Sequence, residues 1–488
     1  MCRSAAAHGF ALLFTLASLT APAVATAQAL TPTPTPTPVA SPAPQAAVQS
    51  ARVYKPNIAD EDWSFLANRA LQQDTFDPIK YIPLFGGKSY LTLGGEARVR
   101  PEGFRIRGDE DTPSVIDNYV FQRYLFAADL HLGHRFRVYG ELQSGLINGK
   151  VASPRPTDKN VADIHQAFFQ FNTRRDRPRQ FALIVGRQEM SIGSSRLISS
   201  SQGLNVKRSF DGVTASYRSN LWSVEGGTAK LVAVTPGSFD DEPSPEQEFW
   251  GVSFVRRNLL FKGGTGAGYY LGVERDRSIY AQGVGHERRH TFGVKFSGAW
   301  KAFDFNYDVI GQWGEFNNEN VSAWAVAFEN AVRIAQWPLR PRFSLKVNSA
   351  SGDRDPADPA LQSFNPLFPG SSYSGLVGLF GPTNLTDVTP AVQFALPHRV
   401  VLIFEMPVYF RSSVRDAIYN ISLQPLINIP GSRARYVGSN PGVVAIWAWT
   451  RHLQLTGVIS RLLPGDYLSQ SFVRHGFGFY SGSVTYRF

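Results

Sequence analysis

The 488-residue sequence contains one cysteine, Cys2. It lies inside a leader-like stretch and not at its cleavage site, so neither a disulfide framework nor a lipid-anchored cysteine is available. Long apolar runs are missing as well. Beyond residue 30 nothing approaches the ~18 residues that a membrane-spanning helix needs, and the longest runs are "VVLIF" and "GVVAIWAW". Any passage through a membrane must therefore be made by strands. Lysine is scarce, with 11 lysines against 38 arginines in a chain of net charge +10. The arginines are spread along alternating segments and do not gather into one aromatic-interleaved patch, which argues against a nucleic-acid partner.

What is present starts with Arg3, the apolar run "FALLFTLASL" and the small-residue stretch "ATAQA". Together they read as a secretory signal over residues 1–29, cleaved after Ala29. "LTPTPTPTPVASPAPQ" follows. Its Thr-Pro repeat cannot pack a core and reads as an extended linker, residues 30–50, in the periplasm. Residues 51–85 are expected to form a periplasmic segment, and residues 30–85 together are too few for the plug of a TonB-dependent receptor. Residues 86–488 carry the remainder.

That remainder alternates with period two. In "LTLGGEARVR", Glu96, Arg98 and Arg100 share one face while Leu93, Ala97 and Val99 share the other. In "FDFNYDVIGQW", Asp304, Asn306, Asp308 and Gln312 oppose Phe303, Phe305, Tyr307, Val309 and Trp313. A soluble sandwich would also alternate. The connections discriminate better, because short ones (132–135, 219–220, 300–302, 397–398, 450–452) alternate with long polar ones (101–118, 148–162, 191–207, 233–247, 352–384, 412–434, 463–474). This asymmetry predicts an all-β fold, a transmembrane antiparallel β-barrel of about 18 strands with both termini periplasmic, in the bacterial outer membrane. The aromatic C-terminus, with Tyr480, Val484, Tyr486 and Phe488 on one face, agrees. The 62 aromatic residues suffice for two interfacial girdles.

Motifs that suggest catalysis fail on context. "HERRH" matches the zinc-protease pattern, which needs a helix to bring His286 and His290 onto one face. Here it precedes the strand "TFGVKFSGAW" and reads as an external loop, in which the two imidazoles would stand about 13 Å apart. "GGTGAGYY" lacks the Lys-Ser or Lys-Thr of a phosphate loop. Asp353, Asp355 and Asp358 are a weak calcium-loop candidate, against which Pro356 departs from the EF-hand pattern. No catalytic triad can be assembled, and no enzyme, cofactor or other metal is expected.

Charge is the informative feature. Arg98, Arg100, Arg123, Arg135, Arg137, Arg187, Arg208 and Arg342 fall on polar faces, which must turn toward the lumen because charge facing lipid costs about 2–4 kcal/mol at mid-membrane. Guanidinium groups there can hold carboxylates, and they can equally brace Glu96, Asp129, Glu141 and Glu189.

"DPIKYIPL", "YLTLGGEARVRPE", "NYVFQRYLFAADLHLG", "DIHQAFFQF", "GRQEMSIGSSRLI", "NVKRSFDGV" and "SFNPLFPGSSYSG" together resemble the alginate export family of outer-membrane barrels. The resemblance implies a monomeric 18-stranded barrel that passes an anionic uronate polymer through an arginine-lined constriction. Carried over by position, it implies Arg98, Arg100, Arg123, Arg187, Glu189, Arg196 and Arg208 as constriction residues. Expected partners are an anionic polysaccharide or organic anions, outer-membrane lipid and lipopolysaccharide, and periplasmic secretion proteins. An anion-selective uptake porin for small organic acids or oligosaccharides is the alternative.

Overall fold

The computed structural model describes residues 52–106, 114–151, 153–173, 179–370, 378–471 and 473–488. The expected signal and the linker therefore lie outside the described residues, while the expected barrel lies almost wholly within them.

Eighteen strands close into one antiparallel barrel. In chain order they are β1 Ser89–Ile106, β2 Val115–Leu132, β3 Phe136–Asn148, β4 Asn160–Asn172, β5 Gln180–Gln188 and β6 Phe210–Arg218. There follow β7 Trp222–Ala233, β8 Glu242–Arg257, β9 Thr265–Tyr280, β10 Gly283–Trp300, β11 Phe303–Phe316 and β12 Glu319–Arg333. The last six are β13 Arg342–Ala350, β14 Leu385–Leu396, β15 Val400–Glu405 resuming at Val408–Arg411, β16 Tyr436–Ser439 resuming at Gly442–Ala448, β17 Leu453–Pro464 and β18 Phe477–Arg487. β18 pairs with β1 from Glu96↔Arg487 to Ile106↔Phe477, which removes both sheet edges. The two interrupted strands break at Met406–Pro407 and Asn440–Pro441, where proline has no N–H for the ladder.

Alternation sorts side chains as the sequence requires. On β2, Ile116, Tyr124 and Phe126 face outward while Tyr119, Phe121, Arg123, Leu125 and Asp129 are buried. Trp300, Trp337 and Trp449 are exposed at the end that carries Phe488 and the segment from residue 52, and Trp313 and Trp324 nearer the other. By the rule for bacterial barrels, the former end, with the short turns, faces the periplasm. Two connections at the external end are as tight as the periplasmic ones, residues 281–282 and 317–318.

The first of these corrects one expectation. "HERRH" is not in an external loop, because β10 begins at Gly283 and both histidines lie within it on the outward face. His286 contacts Glu274, whereas the His290 imidazole meets the Tyr270 hydroxyl at 2.7 Å and packs against Trp250 and Trp313. His290 thus belongs to the aromatic girdle.

The lumen is packed. Residues 189–209, between β5 and β6, turn inward and meet residues 363–370, with Phe368 N–H donating to the Leu197 carbonyl at 2.8 Å. Ile192, Leu197, Ile198, Phe364 and Phe368 join Phe210, Phe249 and Leu271 of the wall in one apolar cluster. A second cluster covers the inner face of β14–β18, where Ile403, Tyr409, Val444, Val458 and Phe479 receive Leu379, Phe380, Ile427 and Leu468 from the long external loops. Each fully buried Ile or Phe in such a cluster contributes about 1.5–3 kcal/mol. Lipid offers no comparable gain on the outer face.

Candidate functional site

Arg98 and Arg123 stand directly opposite each other on β1 and β2, and Arg100 is the next inward residue of β1. Like charges paired across a ladder repel, so the arrangement requires compensation. Glu96 supplies part of it, accepting from Arg123 Nε at 2.9 Å and from Arg487 Nε at 2.9 Å. Glu102 takes Arg100 at 2.9 Å and the Tyr119 hydroxyl at 3.1 Å. Among the described residues, four guanidinium groups against two carboxylates leave two positive charges over.

Main-chain oxygens meet that excess. Arg98 donates to the carbonyls of Gln202 at 3.3 Å and Leu204 at 2.7 Å, Arg123 to the same two at 3.0 and 2.9 Å, and Arg100 to Gly203 at 2.5 Å. Three buried arginines therefore converge on three successive carbonyls of the inward loop. Asn205 pins the loop behind them, its amide donating to the carbonyls of Gln122, Leu146 and Asp158.

The other candidates lie near this cluster or apart from it. Glu189 is adjacent, since Gln202 donates to it at 2.8 Å while Lys207 and His165 hold its other oxygen. Burial opposes ionisation of this carboxyl, but the Lys207 ammonium and His165 hold it down at about 2. Arg187 is committed to a bidentate pair with Asp211 at 2.8 and 3.0 Å. Arg208 donates to the carbonyls of Ser199 and Pro369 and lies over the Phe368 ring. Its pKa is pushed down to about 10 by burial and by the charge of Arg275. Arg196 reaches Asn348 on β13 at 3.5 Å.

Further arginines repeat the carbonyl-binding role. Arg275 donates to the Leu367 carbonyl at 2.7 Å and Arg289, inside "HERRH", to Ser363 at 2.9 Å. Arg411, stacked 3.9 Å from the Tyr467 ring centre, donates to Ser432 and Ala434. Alternation alone marks Arg275 and Arg289 as inward; nothing local shows that their partners are loop carbonyls.

Metal-ligand chemistry is limited by existing partners. Asp353, Asp355 and Asp358 do not converge. Asp355 accepts from Ala357 N–H and pairs with Arg415, Asp358 accepts from Ala360 N–H, and Asp353 holds Gln282. Glu141, His165 and Glu189 place ligand atoms within 4.8 Å of one another, as do Asp163, Asp240 and Asp241. Lys207 already occupies Glu189, and Asp163 already accepts the N–H groups of Ile164, Asp240 and Asp241. At the periplasmic end a cavity of about 320 Å³ lies between residues 57–62 and the inner wall, with Arg137, Gln170, Ser216, Arg218 and Glu225 among its lining.

The profile of the alginate export family matches residues 89–475. The chain belongs to that family. No curated protein matches it by sequence. Among solved structures, Pseudomonas aeruginosa OpdL is 10% identical with a TM-score of 0.54 over 82% of this chain and 98% of that one. P. aeruginosa OpdQ is 9% identical with a TM-score of 0.53 over 82% and 97%. P. aeruginosa OccK2, solved with glucuronate, is 12% identical with a TM-score of 0.52 over 81% and 97%. These likenesses show a shared barrel fold. With the family they make this chain an outer-membrane channel.

Proposed function

We propose that the channel passes an anionic polysaccharide of the polyuronate type passively outward, and that Arg98, Arg100 and Arg123 form its selective constriction. The observation that carries this reading is the convergence of Arg98, Arg100 and Arg123, which outnumber the carboxylates paired with them among the described residues, on the carbonyls of residues 202–204. A carboxylate is a stronger acceptor for a guanidinium than a neutral carbonyl, and accepts it bidentately. Successive uronate carboxylates therefore replace these carbonyls one after another, each bound firmly enough to enter and loosely enough to leave. Direction comes from the secretion machinery upstream. Glu96 and Glu102 keep the arginines extended and temper their affinity.

Uptake of small organic acids is a second reading, supported by the sugar-sized cavity at the periplasmic end and by the glucuronate seen with OccK2. Planar-bilayer recordings in a chloride gradient, with polyuronate or short organic acids added, separate the two. Anion-selective current blocked by the polymer is expected. Block by the small acids alone would replace export with uptake, and cation preference would remove both.

A further inference from the structure

We infer that residues 52–80 act as a removable plug of the periplasmic mouth, an acidic cover in cis over the basic lumen. The segment folds as a unit. Arg52 and Asp77 clasp its ends at 2.7 Å, Asp77 also accepts the N–H groups of Gln73 and Asp74, and Trp63 and Leu66 are buried within it. It enters the barrel and does not merely hang below it. Ala59 packs against Ala127, Tyr139 and Phe168 of the inner wall. Arg137 donates to the Ala59 carbonyl at 2.7 Å, and Gln166 donates to Asn57 Oδ1 at 3.0 Å.

Two further contacts fix its place. Lys207, on the loop that descends from the external end, reaches the Pro56 carbonyl at 3.4 Å, so the loop and the segment meet inside the lumen. At the rim, Asp74 pairs with His452 at 2.9 Å and Arg451 at 3.4 Å on the turn between β16 and β17, and Lys80 donates to the C-terminal Phe488 oxygen at 2.8 Å.

The union with the wall mixes single hydrogen bonds, the two ion pairs of Asp74 and a few ring contacts of Tyr54 and Phe76 with His452, Tyr486 and Phe488, the mixed polar composition of an interface between units that can separate. The carboxylates it presents at the mouth have the sign that matters. Asp60 and Asp62 line the cavity at the mouth, beside Arg137 and Arg218. A polyanion coming from the periplasm meets these carboxylates first and is repelled, while the arginines it would bind are already near acids of the same chain. Passage thus requires that the segment leave. Desolvation at the mouth, and after it the charge of Glu189, raise the Asp60 pKa.

The test is single-channel conductance of the full chain, of a chain lacking residues 30–76, and of a full-length N57C/Q166C pair joined by a short bismaleimide. Cys2, the one native cysteine, is replaced by serine in the pair so that the cross-link is clean. The deletion is expected to raise conductance several-fold, and the cross-link to lower it below that of the unlinked full-length pair. A deletion no more conductive than the full chain, or a cross-linked pair that conducts like the unlinked one, overturns the plug. The cross-linked pair decides the matter if the deletion does not assemble. Polyuronate added to the same recordings keeps the two readings apart. A conducting deletion that the polymer fails to block retains the plug and removes the cargo, whereas equal conductance with block in both chains does the reverse.

Discussion

The inner wall of the barrel has two arcs that follow the same alternation and carry opposite chemistry. On β1–β5 the inward residues include Glu96, Arg98, Arg100, Arg123, Asp129, Arg137 and Glu141, all buried and charged. On β14–β18 they include Ile403, Tyr409, Val444, Val458 and Phe479, buried and apolar. The difference lies in what covers each arc. The apolar arc is covered by side chains of the external loops, which make a core resembling that of a soluble protein. The charged arc is covered by loop backbone, whose carbonyls suit guanidinium groups. A core held by apolar contacts is fixed, whereas carbonyls can give way to a better acceptor, so the charged arc is the side along which cargo can move.

Three substitutions test that contrast, in falling order of effect. Arg123→Ala removes one of the two arginines from buried Glu96 and frees part of the loop. It should destabilise the barrel by about 3–5 kcal/mol, the cost of breaking a buried pair, and lower anion preference as read from the reversal potential in a salt gradient. Unchanged selectivity in a folded variant would mean that the charged arc braces and does not select. Ile403→Val on the other arc should cost about 0.5–1.5 kcal/mol in urea unfolding from micelles and leave selectivity untouched. An altered reversal potential would show that the apolar arc also lines the path.

The third concerns Asp241, whose carboxyl is raised to about 6 by burial, with Asp163 adding to the shift. A folded-state pKa above the unfolded one favours the protonated form, so this contribution is complete below about 4 and is lost as pH rises through about 6. Asp241→Asn should therefore raise the melting temperature at pH 8 and hardly change it at pH 4. The opposite order would show that the carboxylate, and not the acid, is what the fold accommodates.

Much of the barrel was legible in the sequence, for reasons that are local. The strand stretches at 91–100 and 303–313 were readable because one face of each is polar and the other apolar, whereas residues 101–106, assigned to a long connection, continue β1. "VVLIF" and "GVVAIWAW" gave little hint of their sides, since both faces of β15 and β16 are apolar. "HERRH" was misplaced into a loop because its polar residues lie above the outer girdle of a strand that continues past it. Of the candidate constriction, Arg98, Arg100 and Arg123 come together with Glu189 at their edge. Arg187, Arg196 and Arg208 go to separate partners, because inward-facing is a property of one strand whereas convergence needs two.

By itself the sequence determined the period of two, the inward face of the arginines, the aromatic outer surface and hence a barrel, since each depends on neighbours one or two residues away. Only the tertiary structure decided what fills the lumen. Arg98 meets Leu204 across 106 residues and Lys207 meets Pro56 across 151. No pattern within a strand encodes such contacts, because they arise when closure of the barrel brings distant loops to the same charges.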